Sequence, residues 1–206
     1  MTLYLREEVQ SEGLVRNVGD FSRFLEAMSF SHAGVLNVAE VARECEIGRK
    51  TVEAYVAVLH DLLLAFSLPV FAKRAKRRLI AHRKFYYFDA GIFNSLRPAG
   101  PLDRPEEIGG AALEGLAAQH LRAWSDYRGA PNELSFRRTK AGNEVDFVVY
   151  GPDRFIAIEV KNTDKARSKD LRVPASMHGE PGWRRWSPWI QRYHAIGFSV
   201  PVAWLH

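Results

Sequence analysis

The sequence holds a single cysteine, Cys45, among its 206 residues, so no intrachain disulfide can form and a reducing compartment is expected. It has no long apolar run. The longest mostly apolar stretch, Leu62 to Ala72, is interrupted by Ser67 and Pro69 and is too short to cross a bilayer. The first residues, Met1 to Glu8, lack a basic segment followed by an apolar one, so no signal peptide is read there and a soluble cytoplasmic protein is the expectation. Seven histidines are scattered without H-E-x-x-H or zinc-ligand spacing, and no G-x-S-x-G elbow occurs, which leaves zinc hydrolysis and a serine hydrolase without support. There is no internal repeat and no low-complexity segment. With 47% hydrophobic and 26% charged residues, the chain has the balance of a globular protein with a real core, in one large domain or two small ones.

Charge is present in modest excess but unevenly distributed. Lysine and arginine number 29 against 24 acids, a net of +5. Seven of the basic residues (Lys73, Arg74, Lys76, Arg77, Arg78, Arg83 and Lys84) fall in one short run with no acid, so the rest of the chain nets −2. Such a cluster is either a footprint for a polyanion or a solvated surface strip.

Hydrophobic spacing organises the first half. Residues 4–30 read as helical, with a break near Gly19 and Asp20 as its cap. Asn37 and Glu40 form a capping-box pair at the start of a short helix that ends near Glu46-Ile47-Gly48. A second helix runs from Arg49 through Leu64, with Val52, Tyr55, Val56, Leu59, Leu62 and Leu63 on one face. Two helices joined by a tight Gly-containing turn form a helix-turn-helix pattern. Arg49, Lys50 and Thr51 stand where its second helix would meet DNA. Two strands, Ala65–Phe71 and Lys84–Asp89, follow, and the basic run between them makes a candidate wing resting on phosphates. Many winged helices pack against protein instead. Pro98-Ala99-Gly100-Pro101 reads as a linker.

Beyond the linker the order is a helix over residues 108–124, then strands 133–138, 144–150 and 154–161. A hairpin turning at Pro152-Asp153 sets Asp146 opposite Glu159 and Glu144 opposite Lys161. Strand alternation then gathers these four charged residues on one face, with Val145, Phe147, Val149, Ile156, Ile158 and Val160 on the other. Opposed carboxylates repel, and a hard divalent cation such as Mg²⁺ or Mn²⁺ is one reason to place them together. Lys161 on the same face could orient a water or neutralise phosphate charge, which completes the parts for phosphodiester hydrolysis. An exposed sheet face laced with ion pairs accounts for the same residues.

Taken in order, several short motifs resemble a known family. They are Tyr4-Leu5-Arg6-Glu7-Glu8, Gly48 with Thr51-Val52 and Tyr55, Phe88-Asp89-Ala90-Gly91, Gly110 with Glu114, Glu144-Val145-Asp146-Phe147 and Glu159-Val160-Lys161. The set resembles the C-terminal part of AAA-type ATPases that carry the DUF4143 domain, and its last motifs resemble the PD-(D/E)xK nuclease core. The resemblance implies an α/β (α+β) fold: a winged helix, then a restriction-endonuclease-like mixed sheet with flanking helices. It further implies Glu114, Asp146 and Glu159 as metal-site acids and Lys161 as the catalytic lysine, with Mg²⁺ or Mn²⁺ as cofactor and DNA as partner. DNA contact would fall to Arg49, Lys50 and Thr51 and to Lys73, Arg74, Lys76, Arg77 and Arg78. The fold also hosts inactive members, and fold alone does not dictate function.

Two features depart from that family. No G-x-x-x-x-G-K-[ST] occurs, so the nucleotide-binding domain expected to come first is missing from this chain. The residues after Arg172, where another core helix and strand are expected, read as Pro, Arg and Trp. Trp183, Trp186 and Trp189 keep three-residue spacing that could form a base-stacking platform. A shifted reading frame or gene remnant is the plainer expectation. The expected domains are thus a helical segment with the winged helix over 1–97, a nuclease-like domain over 102–172, and an atypical tail over 173–206. Three functions follow: a metal-dependent nuclease, a non-catalytic DNA-binding or protein-interaction module of an ATPase, or an inactive truncated product.

Overall fold

The computed structural model describes residues 15, 17–71, 83–127, 129, 132–138, 144–152 and 154–162. The basic residues 73–78, the first helical residues expected from position 4 and the tryptophan-rich tail lie outside the described residues. Helices and two small sheets alternate in a mixed α and β fold, and the chain divides into two compact units.

The first unit takes the described residues up to Leu68 and those from Arg83 to Gln119. Helix α1 (Val18–Ser29) starts one residue after Asn17, whose side chain accepts the Asp20 N–H at 3.1 Å. The cap is therefore Asn17 rather than Asp20, because Asn17 holds the extended backbone a cap requires while Gly19 sits inside the first turn. Asp20 instead binds Arg23. Strand β1 (Gly34–Val35) had no sequence signal, being only two residues long. Helix α2 (Val38–Glu44) opens at Asn37 as expected. Helix α3 (Arg49–Asp61) ends a turn earlier than its periodicity suggests, since Leu63 turns left-handed at φ 56°.

Strands β2 (Ala65–Leu68) and β3 (Lys84–Tyr87) pair antiparallel, and β1 pairs with the other edge of β3, giving the order β1-β3-β2. Both strands are shorter than expected. Pro69, with no N–H to give, ends β2, and Asp89 leaves β3 to cap helix α4 (Ala90–Leu96) by accepting the Gly91 and Ile92 N–H groups. The final helix, α5 (Pro105–Tyr127), is longer at both ends than expected.

Apolar faces of α1, α2, α3, α4 and β3 close one core around Phe21, Phe24, Tyr55, Leu59, Phe85 and Phe93. Phe21, Phe24 and Tyr55 meet ring against ring at centroid distances of 5.1–5.8 Å. Cys45 is buried in this core, which raises its thiol pKa above the ordinary value and makes it a packing residue. His60 likewise packs, with Nε2 3.2 Å from Ser67 Oγ.

The second unit takes Pro69–Phe71 and the described residues from His120 onward. Strands β4 (Glu133–Arg138), β5 (Glu144–Gly151) and β6 (Arg154–Ile158) form an antiparallel sheet in chain order. Val70 adds a parallel bridge to Phe136, where the Phe71 N–H donates to the Phe136 carbonyl at 2.6 Å and the Phe136 N–H to Pro69 at 3.0 Å. Residues 69–71 thus belong to this sheet and not to β2. Phe71 packs with Val145, Val148, Phe155 and Ala157. No helix among the described residues is long and apolar enough to cross a membrane.

Candidate functional site

The β5–β6 hairpin turns where its sequence demands. Gly151 pairs with Arg154, and the ladder runs back through Tyr150–Phe155, Val149–Ile156 and Val148–Ala157 to Phe147–Ile158. That is the expected register, and it stops one step before Asp146 and Glu159. The ladder ends because the Val160 N–H donates to the Asp146 carboxylate at 2.7 Å instead of to a backbone carbonyl. Strand β6 accordingly closes at Ile158, short of the expected Lys161.

A second irregularity falls at the same place. Ser135 pairs with Val148 and Arg137 with Val145, so Phe136 alone stands opposite both Asp146 and Phe147. One extra residue in β5 makes a β-bulge, which bends the strand and re-aims its side chains. Glu144 lies across from Arg138, with Arg138 Nε 3.9 Å from its carboxylate. Glu144 thus pairs across to β4, and Lys161 Nζ binds Glu159 Oε1 at 2.6 Å.

Glu159 carries the least satisfied group of this corner. Its Oε2 is buried and makes no hydrogen bond, while Oε1 takes Lys161. A buried carboxylate oxygen without a donor is costly, and a cation or a donor from a bound molecule would relieve it. Asp146 and Glu159 are hard oxygen donors suited to Mg²⁺ or Mn²⁺. Among the described residues, however, no three His, Cys, Asp or Glu side chains come together as a metal-binding group.

Glu114, the third expected acid, sits on α5 within the first unit. Its Oε1 accepts Lys84 Nζ at 2.7 Å and the Tyr86 hydroxyl at 2.7 Å. Lys84 ends the basic run in sequence, but its side chain is only 2% exposed. It therefore leaves the solvated strip assumed for that run: as the first residue of the central strand β3 it points into packed protein and needs a counter-ion.

The same region holds a residue set that sequence reasoning missed. His32 is buried, its ring stacks on Phe93 at 4.1 Å, and its Nδ1 accepts the Tyr87 N–H at 3.0 Å. Its Nε2 makes no hydrogen bond of good geometry. Burial lowers the His32 pKa to about 4, against the raising influence of the nearby Ala111 carbonyl. His32 is therefore neutral near pH 7. Gly115 on α5 makes room for it, since a Cβ there would lie 2.4 Å from His32 Nε2. Nothing in the sequence alone marked His32, because its seat between Phe93 and Gly115 depends on packing.

At the start of α3, Arg49 and Lys50 are exposed and Thr51 is half-buried. Gly48 caps this helix without a side-chain hydrogen bond, and its carbonyl accepts the Thr51 N–H at 2.9 Å and the Val52 N–H at 3.1 Å. Lys73, Arg74, Lys76, Arg77 and Arg78 lie outside the described residues.

The chain belongs to the family described as a domain of unknown function, DUF8612, which matches residues 1–103, half of its length. Residues 109–184 match a second domain of unknown function, DUF4143, so the DUF4143 resemblance read from the motifs holds for this region. That match extends past the expected end at 172. The two matches meet beside the Pro98–Pro101 segment, whereas the compact units divide within α5. Curated relatives include uncharacterized protein Rv2008c of Mycobacterium tuberculosis and uncharacterized protein Mb2031c of Mycobacterium bovis. Each is 28% identical over 167 residues, covering 79% of this chain and 36% of the relative. The chain thus spans about a third of the length of the curated relatives it matches. No solved structure matches.

Proposed function

We propose that this chain is a DNA-binding, nuclease-like module that works as the C-terminal portion of a larger ATP-binding protein. The observation that carries the reading is the corner of the β5–β6 hairpin. There a bulge, an interrupted ladder and a buried unpartnered carboxylate oxygen coincide on Asp146 and Glu159, with Lys161 alongside. A β-bulge with an unsatisfied acid costs stability, and such costs gather where a ligand is to be held. Mg²⁺ or Mn²⁺ held by Asp146 and Glu159 would supply Lewis-acid polarisation of a phosphodiester. The Val160 N–H fixes the Asp146 carboxylate, and Glu159 fixes Lys161, whose ammonium can neutralise charge on a phosphate oxygen.

DNA contact is supported by the first unit. Its described order of helix, strand, helix, helix, strand, strand, with β1 set against β3, is the order of a winged helix. Arg49 and Lys50 lie exposed at the start of its second paired helix, and the basic run follows β2. Membership of a longer ATP-binding protein rests on the motif resemblance and on relatives more than twice as long.

Cleavage of single- and double-stranded DNA with Mg²⁺ or Mn²⁺, compared among wild type, Asp146→Ala and Lys161→Ala, tests the catalytic part. Loss of a metal-dependent cleavage in both variants is expected. Cleavage that survives both substitutions, or none in wild type, removes it. A second reading, a non-catalytic DNA-binding module, is favoured by the lack of a third metal donor among the described residues. It keeps salt-dependent DNA retention, weakened by neutralising Lys73, Arg74, Lys76, Arg77 and Arg78, and has no cleavage.

A further inference from the structure

We propose that a cleft in the first unit binds a small uncharged molecule carrying a hydrogen-bond acceptor and a donor on one edge, as a primary amide or a nucleobase does. The cleft measures about 440 Å³, within the range of roughly 300–1,000 Å³ usual for small-molecule sites. Its walls come from the end of α1, from α4 and from the first turns of α5, all within the first unit. Phe30, Phe93, Leu102 and Ile108 supply its apolar surface, and Phe30 and Leu102 are exposed.

The polar groups define the ligand. His32 is buried on the cleft wall, with Nε2 beside Gly115 and near the Ala111 carbonyl of α5, and Ala111 belongs to the same wall. Because Nδ1 accepts the Tyr87 N–H, the proton of the neutral ring sits on Nε2, a donor left without a partner of good geometry. A buried donor left unmade costs free energy, which an acceptor on a bound molecule would recover. Ser29 offers the converse group. It is buried on the wall and its hydroxyl donates to the Glu26 carbonyl at 2.6 Å, so its oxygen keeps lone pairs with which to accept. The charged lining residues cancel, since Arg97 binds Asp103 at 2.8 Å and Arg104 binds Glu107 at 3.1 Å. An ion entering the cleft would shed water without meeting an unmatched counter-charge, which selects an uncharged ligand.

Nicotinamide and adenine are the probes, with acetate and phosphate as charged controls. Each is titrated into the full chain carrying ¹⁵N-labelled histidine and followed by NMR. At least one neutral probe is expected to bind with a Kd of about 1 mM and to move the His32 Nε2 resonance. Whichever binds more tightly separates the amide from the nucleobase. His32→Phe keeps a ring but loses the donor, and should weaken binding by about tenfold. Ile108→Trp fills the cleft from α5 and should abolish binding. Should His32→Phe fail to fold, Ile108→Trp and the wild-type His32 shift decide. Binding that survives both substitutions, a His32 resonance that stays still, or no binding of either neutral probe overturns the site. Tighter binding of acetate or phosphate overturns the choice of an uncharged ligand.

Discussion

The two units treat charge in opposite ways. In the first, a lysine and a glutamate are buried against each other and a histidine is held neutral. Arg97 is occupied as well, binding Asp103 at 2.8 Å while lying over the Phe30 ring. In the second, a charged hairpin face ends in a carboxylate oxygen that is buried and unpartnered. The same residue types therefore carry different meanings. Where a charge is closed off inside a packed core its contacts explain it, and where one is left unsatisfied at a strand irregularity a ligand is the natural complement.

The comparison first needs the two units to be energetically separate, and core truncation is its strongest test. Phe24 is fully buried in the first core and Val148 in the second. Phe24→Ala should cost about 4 kcal/mol and Val148→Ala about 2 kcal/mol. Followed by urea denaturation, each should shift one transition and leave the other in place. A single transition moved by both substitutions would merge the units.

Acidification probes the closed-off charge of the first unit. The His32 pKa falls to about 4 on folding, from an ordinary 6.5. The unfolded chain therefore takes up the proton first as pH drops through 6.5. Stability from neutral His32 is present above 6.5, drains away between 6.5 and 4, and is lost below. The full span is worth about 3 kcal/mol. Urea unfolding of wild type and His32→Gln at pH 7 and pH 4.5 isolates it, the wild type losing more. Equal losses would mean that His32 is not the buried neutral group described here.

How much of this was legible beforehand varies by region. The hairpin register was readable because Gly151-Pro152-Asp153 allows one tight turn and alternation does the rest. The ladder's end at Ile158 was not, since it depends on a side chain, Asp146, replacing a backbone acceptor. Helix α3 was placed correctly at its start, while its end turned on the left-handed Leu63, a residue with no propensity for that conformation. The burial of Lys84 against Glu114 was not legible either. Charge in a sequence is silent about burial, and only packing reveals that a basic run ends in a lysine turned inward.

Gly115 and Gly110 on α5 sharpen the comparison further, because the helix propensity gained by alanine is equal at both. At Gly110 a Cβ meets nothing within 4 Å, so Gly110→Ala should stabilise by about 1 kcal/mol. At Gly115 the added carbon would lie 2.4 Å from His32 Nε2 and 2.8 Å from Cε1. His32 cannot retreat without losing its Tyr87 hydrogen bond and its stack on Phe93. Gly115→Ala should therefore destabilise by about 2 kcal/mol. Thermal unfolding reads both, and matching signs would show that His32 has room to move.

The smallest effect concerns the surface of the same unit, where charge is neither buried nor poised for a ligand. Asn37 caps α2 by accepting the Glu40 N–H at 3.3 Å, and its side-chain amide donates back to Glu40 Oε2 at 3.1 Å. In the usual capping box the returning glutamate takes the cap's backbone N–H; here it takes the side chain instead. Both hydrogen bonds are then lost with a single residue, so Asn37→Ala should cost about 1 kcal/mol, near the middle of the range for a lost cap. Asn37→Ser keeps the cap oxygen but lacks the amide, and should recover most of that loss. If serine recovers none, the weight lies in the Asn37–Glu40 side-chain contact. An exposed polar pair in the first unit would then contribute as much as its backbone cap, against the rule that this unit draws its polar stability from buried groups.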